Sequence, residues 1–218
     1  MSEVKIGKFV IGHNSPPFIV AEAGINHDGN LEKAFEMVKV AKDAGVDAIK
    51  FQTFKAEEFI SDSKLMFTYK SGGNEITESM MDLFKRYEFS YEQWRKIKSK
   101  CDEYDILFLS TPQNTSDLEL LMELGIPAIK VGSDDFTNLP LLKNYSSTGL
   151  PIIISCGMTD LAEINESLET IGTFNGYPTI LLVTTSQYPT PPEDAHLLKL
   201  TTLSKLFPNI PLGFSDHT

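Results

Sequence analysis

Residues 126–157 read IPAIKVGSDDFTNLPLLKNYSSTGLPIIISCG and contain the clearest strand–helix–strand pattern of the chain. Two short apolar runs, at 128–132 and 152–156, enclose a segment with helical spacing at 139–149. Fully buried parallel strands read as near-continuous apolar runs, and strand–helix–strand order is typical of a parallel α/β sheet. The two runs end on polar side chains, Lys130 with Ser133 and then Ser155. The stretch therefore predicts a strand–helix unit with usable chemistry at its strand ends.

The same unit recurs along the chain. Seven strands are predicted, at 18–23, 48–52, 106–110, 128–132, 152–156, 180–185 and 211–215. Their carboxyl ends carry Glu22, Lys50, Ser110 with Thr111, Lys130, Ser155, Tyr188, and Asp216 with His217. A (β/α) barrel builds one active site from polar groups at the ends of successive parallel strands. The pattern indicates an enzyme whose site is spread over many strands.

Helical segments fill the gaps between the strands. Helices are predicted directly after Asn30, Ser90 and Ser116, which are suitable capping residues, and over 139–149, 160–172 and 193–207. Two pieces lie outside this alternation: a small hairpin at 4–12, and a long excursion at 53–89 with at least one short helix. Long insertions of this kind are usually lids or substrate walls.

Two fold classes have this alternation, the doubly wound sheet and the barrel. A doubly wound dinucleotide fold normally has G-x-G-x-x-G after its first strand, whereas this chain has AEAGINHDG there. Chemistry at every strand end favours a TIM (β/α)8-type barrel. Because only seven strands are counted, we expect residues 1–218 to be a single barrel domain, truncated after its seventh strand.

Composition excludes some classes of function. The 218 residues are 41% hydrophobic, and their formal net charge of −11 does not suggest a nucleic-acid surface, although a few lysines can still attract an anionic substrate. Two cysteines make no disulfide framework. No signal-peptide core and no apolar stretch of membrane-spanning length is present. We expect a soluble, cytoplasmic protein without nucleic-acid or membrane partners.

The strand-end residues leave several chemical interpretations open. Lys50 and Lys130 suit anion binding or Schiff-base chemistry, or they extend to solvent from the strand ends. The neighbouring hydroxyls and glycines suit a phosphate, or they merely begin loops. Glu22 is either paired with a lysine or poised for proton transfer. His217 is a metal ligand, a base or neither.

A set of motifs narrows these interpretations. AEAGINHDGN, IKFQT, LFLSTP, KVGS, IIISCGM, QYPTPPED and GFSDHT occur in the order found in one family, and they span nearly the whole chain. The sequence resembles the sialic acid synthase (N-acetylneuraminate synthase) family, with its legionaminic and pseudaminic acid synthase relatives. The resemblance implies a TIM-barrel transferase that condenses phosphoenolpyruvate with an N-acetylated hexosamine, such as N-acetylmannosamine. The products are a nine-carbon 2-keto sugar acid and phosphate.

The resemblance also implies roles for single residues. Glu22, Lys50 and His217 are the catalytic candidates, and His217 is one of two histidines that hold a divalent metal, Mn²⁺ or Mg²⁺. The candidates for phosphoenolpyruvate binding are Lys50, Thr111, Lys130, Ser133, Ser155, Ser186 and Ser215. The candidates for sugar binding are Gln52, Asp135 and Tyr188. The second histidine is expected beyond Thr218, and residues 1–218 are expected to lack the family's carboxy-terminal antifreeze-like domain. The full-length protein is expected to be a homodimer.

The sequence departs from the family at two places. Ser186 stands where asparagine is usual, and Asp134 stands where glycine is common, so the acceptor sugar stays open. Two other functions are also considered. One is a Schiff-base aldolase that uses Lys50 or Lys130. The other is a non-catalytic barrel fragment that binds a phosphorylated ligand or a partner chain through exposed strand edges.

Overall fold

The computed structural model describes residues 3–71 and 73–218. The chain forms two compact units, one of residues 19–126 and one that joins the amino-terminal residues to 127–218. The second unit begins with strands β1 (Val4–Ile6) and β2 (Phe9–Ile11), which pair antiparallel. This confirms the hairpin predicted at 4–12.

The 19–126 unit is built on a three-stranded parallel sheet. In chain order its elements are β3 (Val20–Gly24), α1 (Leu31–Asp43), β4 (Ala48–Thr53), α2 (Ala56–Phe59), β5 (Met66–Ser71), β6 (Asn74–Ser79), α3 (Met80–Tyr87), α4 (Tyr91–Glu103), β7 (Leu107–Pro112) and α5 (Thr115–Glu123). The parallel sheet has the order β3-β4-β7. Strands β3, β4 and β7 confirm the first three predicted strands.

Local capping chemistry sets where the helices of this unit begin. Asn30 accepts a hydrogen bond from the backbone of Lys33 at the start of α1, and Ser90 forms a capping box at the start of α4. The prediction for α5 was wrong by two residues, because Asn114, and not Ser116, is its N-cap. The Asn114 side chain accepts from the backbone of Asp117 and so begins the helix two residues earlier than expected.

The excursion between β4 and β7 contains the predicted short helix and one unpredicted feature. Strands β5 and β6 form an antiparallel ribbon, and helices α2 and α3 flank it. Glu88 holds the amino-terminal end of α2. Its carboxylate accepts a hydrogen bond from the backbone of Ala56, the first helical residue, and pairs with the side chain of Lys55 at 3.0 Å. The alternation of polar and apolar residues in such a short ribbon was too weak to predict it.

Aromatic side chains form the core of the 19–126 unit. Phe51, Phe89, Trp94 and Phe108 are all at most 2% exposed, and their rings contact one another. His27 is completely buried beside them, with its ring stacked on Phe89 at 4.2 Å. Burial of these large rings holds β4, β7 and α4 together.

The other unit carries a four-stranded parallel sheet. After the hairpin its elements are β8 (Ile129–Val131), α6 (Leu139–Ser146), β9 (Ile152–Ser155), α7 (Leu161–Ile171), β10 (Thr179–Val183), α8 (Leu198–Leu206) and β11 (Leu212–Phe214). The strand order is β11-β10-β9-β8. The helix predicted at 193–207 is shorter than expected. Pro191 and Pro192 favour a separate 3₁₀ turn, and His196 has a positive φ of 47°, so a continuous helix begins only at Leu198.

All seven predicted parallel strands are thus present, in two sheets. Within residues 3–71 and 73–218 the strand pairing closes neither sheet on itself, so an α/β fold with parallel sheets is confirmed and a closed barrel is not. Across the same residues no helix combines the length and the apolar character that crossing a membrane requires.

Candidate active site

The first group of candidate residues lies in the 19–126 unit, at the ends of β3 and β4. Glu22 and Lys50 are register partners in the parallel sheet, and a Glu22 carboxylate oxygen lies 2.5 Å from Lys50 Nζ. The lysine side chain is only 10% exposed, whereas that of Glu22 is 53% exposed. The buried ammonium is therefore paired, while the carboxylate faces outward where it can also meet a ligand.

Two further candidates extend this group. Gln52, two residues beyond Lys50 on β4, is the register partner of Thr111 on β7, and Thr111 is buried. Lys50 Nζ donates to Thr111 Oγ1 at 3.4 Å. Residues two apart on a strand share a face, so Lys50, Gln52 and Thr111 lie on one face of the β4–β7 pair. We call Glu22, Lys50, Gln52 and Thr111 the Lys50 group.

Sequence reasoning missed a buried acid close to the end of β7. Asp117 is 2% exposed, and it accepts a hydrogen bond from the Gln113 backbone at 3.3 Å. Burial raises the pKa of this carboxyl to about 7, the negative charge of Glu58 adds to the rise, and the Gln113 hydrogen bond opposes it. The sequence did not indicate a buried acid here, because an acidic residue in the first turn of a helix ordinarily lies at the surface, where it interacts with the helix dipole.

The second group lies in the other unit, at the ends of β8 and β9. Lys130 is 7% exposed and Ser155 is 3% exposed, and Lys130 Nζ donates to Ser155 Oγ at 2.8 Å. The same ammonium donates to the carbonyl of Val131 at 2.6 Å. A buried lysine held against a hydroxyl places positive charge beside a hydrogen-bond donor, which suits a phosphate or a carboxylate.

Three loops of this unit converge on Gly157. Its backbone N–H donates to Ser133 Oγ at 3.0 Å. A Cβ at this position would lie 2.7 Å from Ser186 Oγ, 2.7 Å from the Thr184 methyl group and 3.0 Å from Ser133 Oγ. Glycine is therefore favoured where the loops after β8, β9 and β10 meet, because a side chain there would collide with Ser186, Thr184 and Ser133. We call Lys130, Ser133, Ser155, Gly157 and Ser186 the Lys130 group.

Asp135 lies two residues beyond Ser133 and is half-buried. Burial raises its pKa, a hydrogen bond from Asn138 opposes the rise, and the neighbouring Asp134 adds to it. The Asp134 carboxylate folds back over Gly132, where a Cβ would lie 2.1 Å from Asp134 Oδ1. The residue that departs from the family pattern therefore packs on its own loop.

The loop after β11 holds His217 between two sets of partners. Its Nδ1 lies 2.8 Å from the Thr185 carbonyl, and its Nε2 lies 3.2 Å from the Tyr188 hydroxyl and 3.4 Å from Ser215 Oγ. The Tyr188 and His217 rings stack at 4.1 Å. Since a carbonyl only accepts, the contact at Nδ1 is a hydrogen bond when Nδ1 carries the proton, and in the neutral ring this leaves the lone pair on Nε2. This is the arrangement in which a histidine binds a metal ion through Nε2.

His217 therefore fits one ligand of a metal site. Within residues 3–71 and 73–218, no group of three or more histidine, cysteine or acidic side chains could hold a metal ion. The described residues supply one oriented imidazole, and the second histidine expected from the resemblance stays a prediction.

The structure brings the predicted residues together within each unit. Glu22, Lys50, Gln52 and Thr111 form one group, and Lys130, Ser133, Ser155 and Ser186 form another. Ser215 and Tyr188 both contact His217, in the same unit as the Lys130 group. Gly157 was among the strand-end glycines that the sequence indicated for a phosphate, but sequence reasoning did not single out Thr184 or Thr185, although these paired threonines directly after β10 were a visible signal.

The fold and these groups define a class: α/β proteins with parallel sheets that collect ion-pairing and hydroxyl side chains at the carboxyl ends of their strands. Residues 37–218 match the NeuB family, and the chain belongs to that family. The resemblance seen in the sequence motifs is thereby confirmed.

Particular relatives agree with this assignment. An uncharacterised protein of Methanocaldococcus jannaschii is 39% identical over all 218 residues. The N,N'-diacetyllegionaminic acid synthase of Legionella pneumophila is 35% identical over 95% of this chain and 59% of its own length. The crystal structure of a sialic acid synthetase from Leptospira borgpetersenii, solved with citrate, is 34% identical and matches with a TM-score of 0.88 over all of this chain and 70% of its own. The chain spans about 60% of the length of the curated relatives it matches.

Proposed function

We propose that this chain carries the phosphoenolpyruvate-binding part of a nine-carbon sugar-acid synthase, built on a (β/α) barrel. The observation that carries the proposal is the Lys130 group. A buried ammonium lies 2.8 Å from the Ser155 hydroxyl, and the Ser133 hydroxyl and the Gly157 amide meet at 3.0 Å. Positive charge, hydroxyls and an unobstructed backbone at strand ends are what a phosphate dianion requires. Membership in the NeuB family supports the same conclusion.

The proposed reaction joins phosphoenolpyruvate and an open-chain N-acetylated hexosamine. Carbon 3 of the enol phosphate attacks the sugar aldehyde, and the new C–C bond leaves positive charge at carbon 2. The former aldehyde oxygen takes up a proton as water adds at carbon 2 and loses one. Phosphate then leaves with cleavage of the bond between carbon 2 and its bridging oxygen, and the new hydroxyl at carbon 2 gives up its proton to become the ketone. The Lys130 group would hold the phosphate through these steps, so its contribution is positioning and charge stabilisation.

The Lys50 group suits the other charged parts of this chemistry. Lys50, held by Glu22 at 2.5 Å and by Thr111 at 3.4 Å, would bind a substrate carboxylate. Glu22 is exposed enough to exchange a proton with a bound ligand, which fits a general acid or base. Gln52, Asp135 and Tyr188 are the proposed contacts to the sugar.

His217 is the proposed metal ligand. A bound Mn²⁺ or Mg²⁺ would polarise the sugar aldehyde as a Lewis acid. The chain's own contribution is an imidazole whose Nε2 lone pair is already oriented by the Thr185 carbonyl on the opposite side of the ring.

The acceptor sugar is proposed only as a class, the N-acetylated hexosamines that lead to sialic, legionaminic or pseudaminic acids. Ser186 is shorter than the asparagine usual in the family and exposed at the Gly157 junction. Asp134 turns back on Gly132. We propose that these two residues influence the choice of acceptor, while Ser186 also contributes its hydroxyl to the Lys130 group.

The test is phosphate release from phosphoenolpyruvate with Mn²⁺ and a panel of N-acetylated hexosamines. It is run on this chain and on any longer product of the gene. We expect release that depends on both substrates and that disappears in Lys130→Met. Lys96→Met is the matched control, because Lys96 is an exposed lysine on α4.

Three results would count against the proposal. Release in Lys130→Met equal to that of the unmodified protein would remove the Lys130 group from the mechanism. Covalent trapping of pyruvate by borohydride at Lys50 or Lys130 would indicate the aldolase alternative. Stabilisation by phosphate without turnover of any hexosamine in the panel would indicate the binding-only alternative.

A further inference from the structure

The last residue of β10 and the loop that follows it make four polar contacts with the loop after β11. Ser215 N–H donates to the Val183 carbonyl at 2.9 Å, and the Thr184 hydroxyl donates to the Ser215 carbonyl at 2.9 Å. The Thr185 carbonyl lies 2.8 Å from His217 Nδ1. Thr190 N–H donates to the His217 carbonyl at 2.7 Å. The orientation of His217 is therefore set by residues 183–190.

The hydroxyl group of Thr184 is buried and lies between the Ser215 carbonyl and the His217 ring. The side chain is 3% exposed, and its single hydroxyl proton is used by the Ser215 carbonyl, which can only accept. Thr184 Oγ1 also lies 3.4 Å from His217 Nδ1. Because its proton is committed elsewhere, the hydroxyl can only accept from the ring. The methyl group of Thr184 meanwhile packs against Gly157.

The partners of the two ring nitrogens are consistent with one tautomer. At Nδ1 there are two acceptors, the Thr185 carbonyl and Thr184 Oγ1. At Nε2 there are two hydroxyls that can donate, those of Tyr188 at 3.2 Å and Ser215 at 3.4 Å. An Nε2–H tautomer would leave Nδ1 facing two acceptors without a proton between them.

We propose that Thr184 is a positioning residue that holds His217 in the tautomer with Nδ1 protonated and the Nε2 lone pair directed at the site. The same side chain joins this loop to the Lys130 group, because its methyl group contacts Gly157 while its hydroxyl binds Ser215. The inference rests on the proposed function only where it assigns the Nε2 lone pair to a metal ion. The tautomer itself depends on contacts within this unit.

The experiment is long-range ¹H–¹⁵N correlation spectroscopy of the histidine rings in the 218-residue chain without added metal. Protonated and unprotonated ring nitrogens resonate far apart, so each tautomer is read directly. The chain has four histidines, and His27 is an internal reference. Its Nδ1 accepts from the Gly29 backbone at 3.1 Å, so it should show the opposite tautomer to His217.

Three variants separate the hydroxyl from the general effect of mutation. Thr184→Val keeps the shape but removes the hydroxyl, and Thr184→Ser keeps the hydroxyl. Thr179→Val makes the same change at a threonine that is 2% exposed at the opposite end of β10. We expect the ratio of Nδ1–H to Nε2–H at His217 to fall about threefold or more in Thr184→Val, since one neutral hydrogen bond is lost. Thr184→Ser should restore the ratio and Thr179→Val should not change it.

The proposal is overturned if the unmodified chain shows His217 protonated at Nε2, a result that needs no variant to fold. It is also overturned if Thr184→Val keeps the original ratio, or if Thr179→Val shifts the ratio equally. Failure of the proposed function is a separate result. Absence of phosphate release with the tautomer in place would reject the synthase activity and leave the role of Thr184 standing.

Discussion

His27 is a neutral imidazole buried in the aromatic core of the 19–126 unit, and this makes the stability of the protein sensitive to acid. The ring is completely buried, stacks on Phe89 at 4.2 Å and has its edge toward Trp94. Its Nδ1 accepts from the Gly29 backbone, so the proton is on Nε2, which is buried and has no hydrogen-bond partner among the described residues. Protonation would place a charge in this cluster.

The magnitude follows from the shift in pKa. Burial lowers the pKa of His27 from 6.5 to about 4, Asp28 opposes the change, and Lys33, which pairs with Asp28, adds to it. Because the folded protein binds the proton more weakly than the unfolded chain, His27 contributes its full stability above pH 6.5. The contribution falls as the pH drops toward 4. From pH 7.5 to pH 5.0 the loss is about 2 kcal/mol, at 1.36 kcal/mol for each unit of pKa.

The assay is urea unfolding at pH 7.5 and pH 5.0 at constant ionic strength, on the unmodified chain and on His27→Asn. The asparagine oxygen can still accept from Gly29, but the side chain does not titrate. The variant is expected to be less stable at pH 7.5, because the stacked ring is lost. From pH 7.5 to pH 5.0, however, the free energy of unfolding of His27→Asn should fall by about 2 kcal/mol less than that of the unmodified chain. His13→Asn, at an exposed histidine, is the control.

The comparison between variants is needed because Asp117 acts with the opposite sign over the same pH range, so the unmodified chain alone shows only a net effect. An equal change in unfolding free energy for His27→Asn and the unmodified chain would refute the reasoning. The imidazolium would then be accommodated in place, through hydration of Nε2 or through attraction to the faces of the surrounding rings.

Three further predictions test other parts of the molecule. Asp117 should lower the free energy of unfolding by about 2–3 kcal/mol between pH 5 and pH 8, because a pKa raised to about 7 makes the folded state bind the proton more tightly. Asp117→Asn should lack this contribution. Urea unfolding of the variant and the unmodified chain at both pH values measures the difference, and an equal change in the two proteins would contradict it. Gly157→Ala should abolish the rise in melting temperature that inorganic phosphate gives the unmodified chain, since the new Cβ would lie 2.7 Å from Ser186 Oγ; an equal rise would show that the junction is not the phosphate site. Ser90→Ala should cost about 1 kcal/mol in urea unfolding through loss of the capping box of α4, whereas Ser99→Ala, at an exposed position within the same helix, should cost nothing; equal costs would reject the cap.

Much of the fold was predictable because it depends on local patterns. Runs such as III at 152–154 are apolar throughout because both faces of a parallel strand are buried, and this signal needs no knowledge of the rest of the chain. Capping is equally local, and Asn30 and Ser90 were identified as N-caps from sequence alone. The start of α5 was missed because Asn114 and Ser116 are both good caps, and only the hydrogen bond to Asp117 distinguishes them.

The candidate site was predictable as a set of residues and not as an arrangement. Lysines and hydroxyls at strand ends identify themselves by position, and the order of the motifs identified the family. Distances do not follow from such patterns, because residues far apart in sequence are brought together by strand register. Lys50 meets Thr111 through the pairing of β4 with β7.

The α/β class, the seven strands, the starts of α1, α4, α6 and α7 and the family could be predicted from the sequence, because each depends on contiguous residues or on motif order. Which partners the polar groups bind depends on tertiary contacts. The neutral state of His27, the raised pKa of Asp117 and the tautomer of His217 all depend on burial and on acceptors contributed by other segments. Burial and hydrogen-bond direction are properties of three-dimensional neighbours, and no spacing along the chain specifies them.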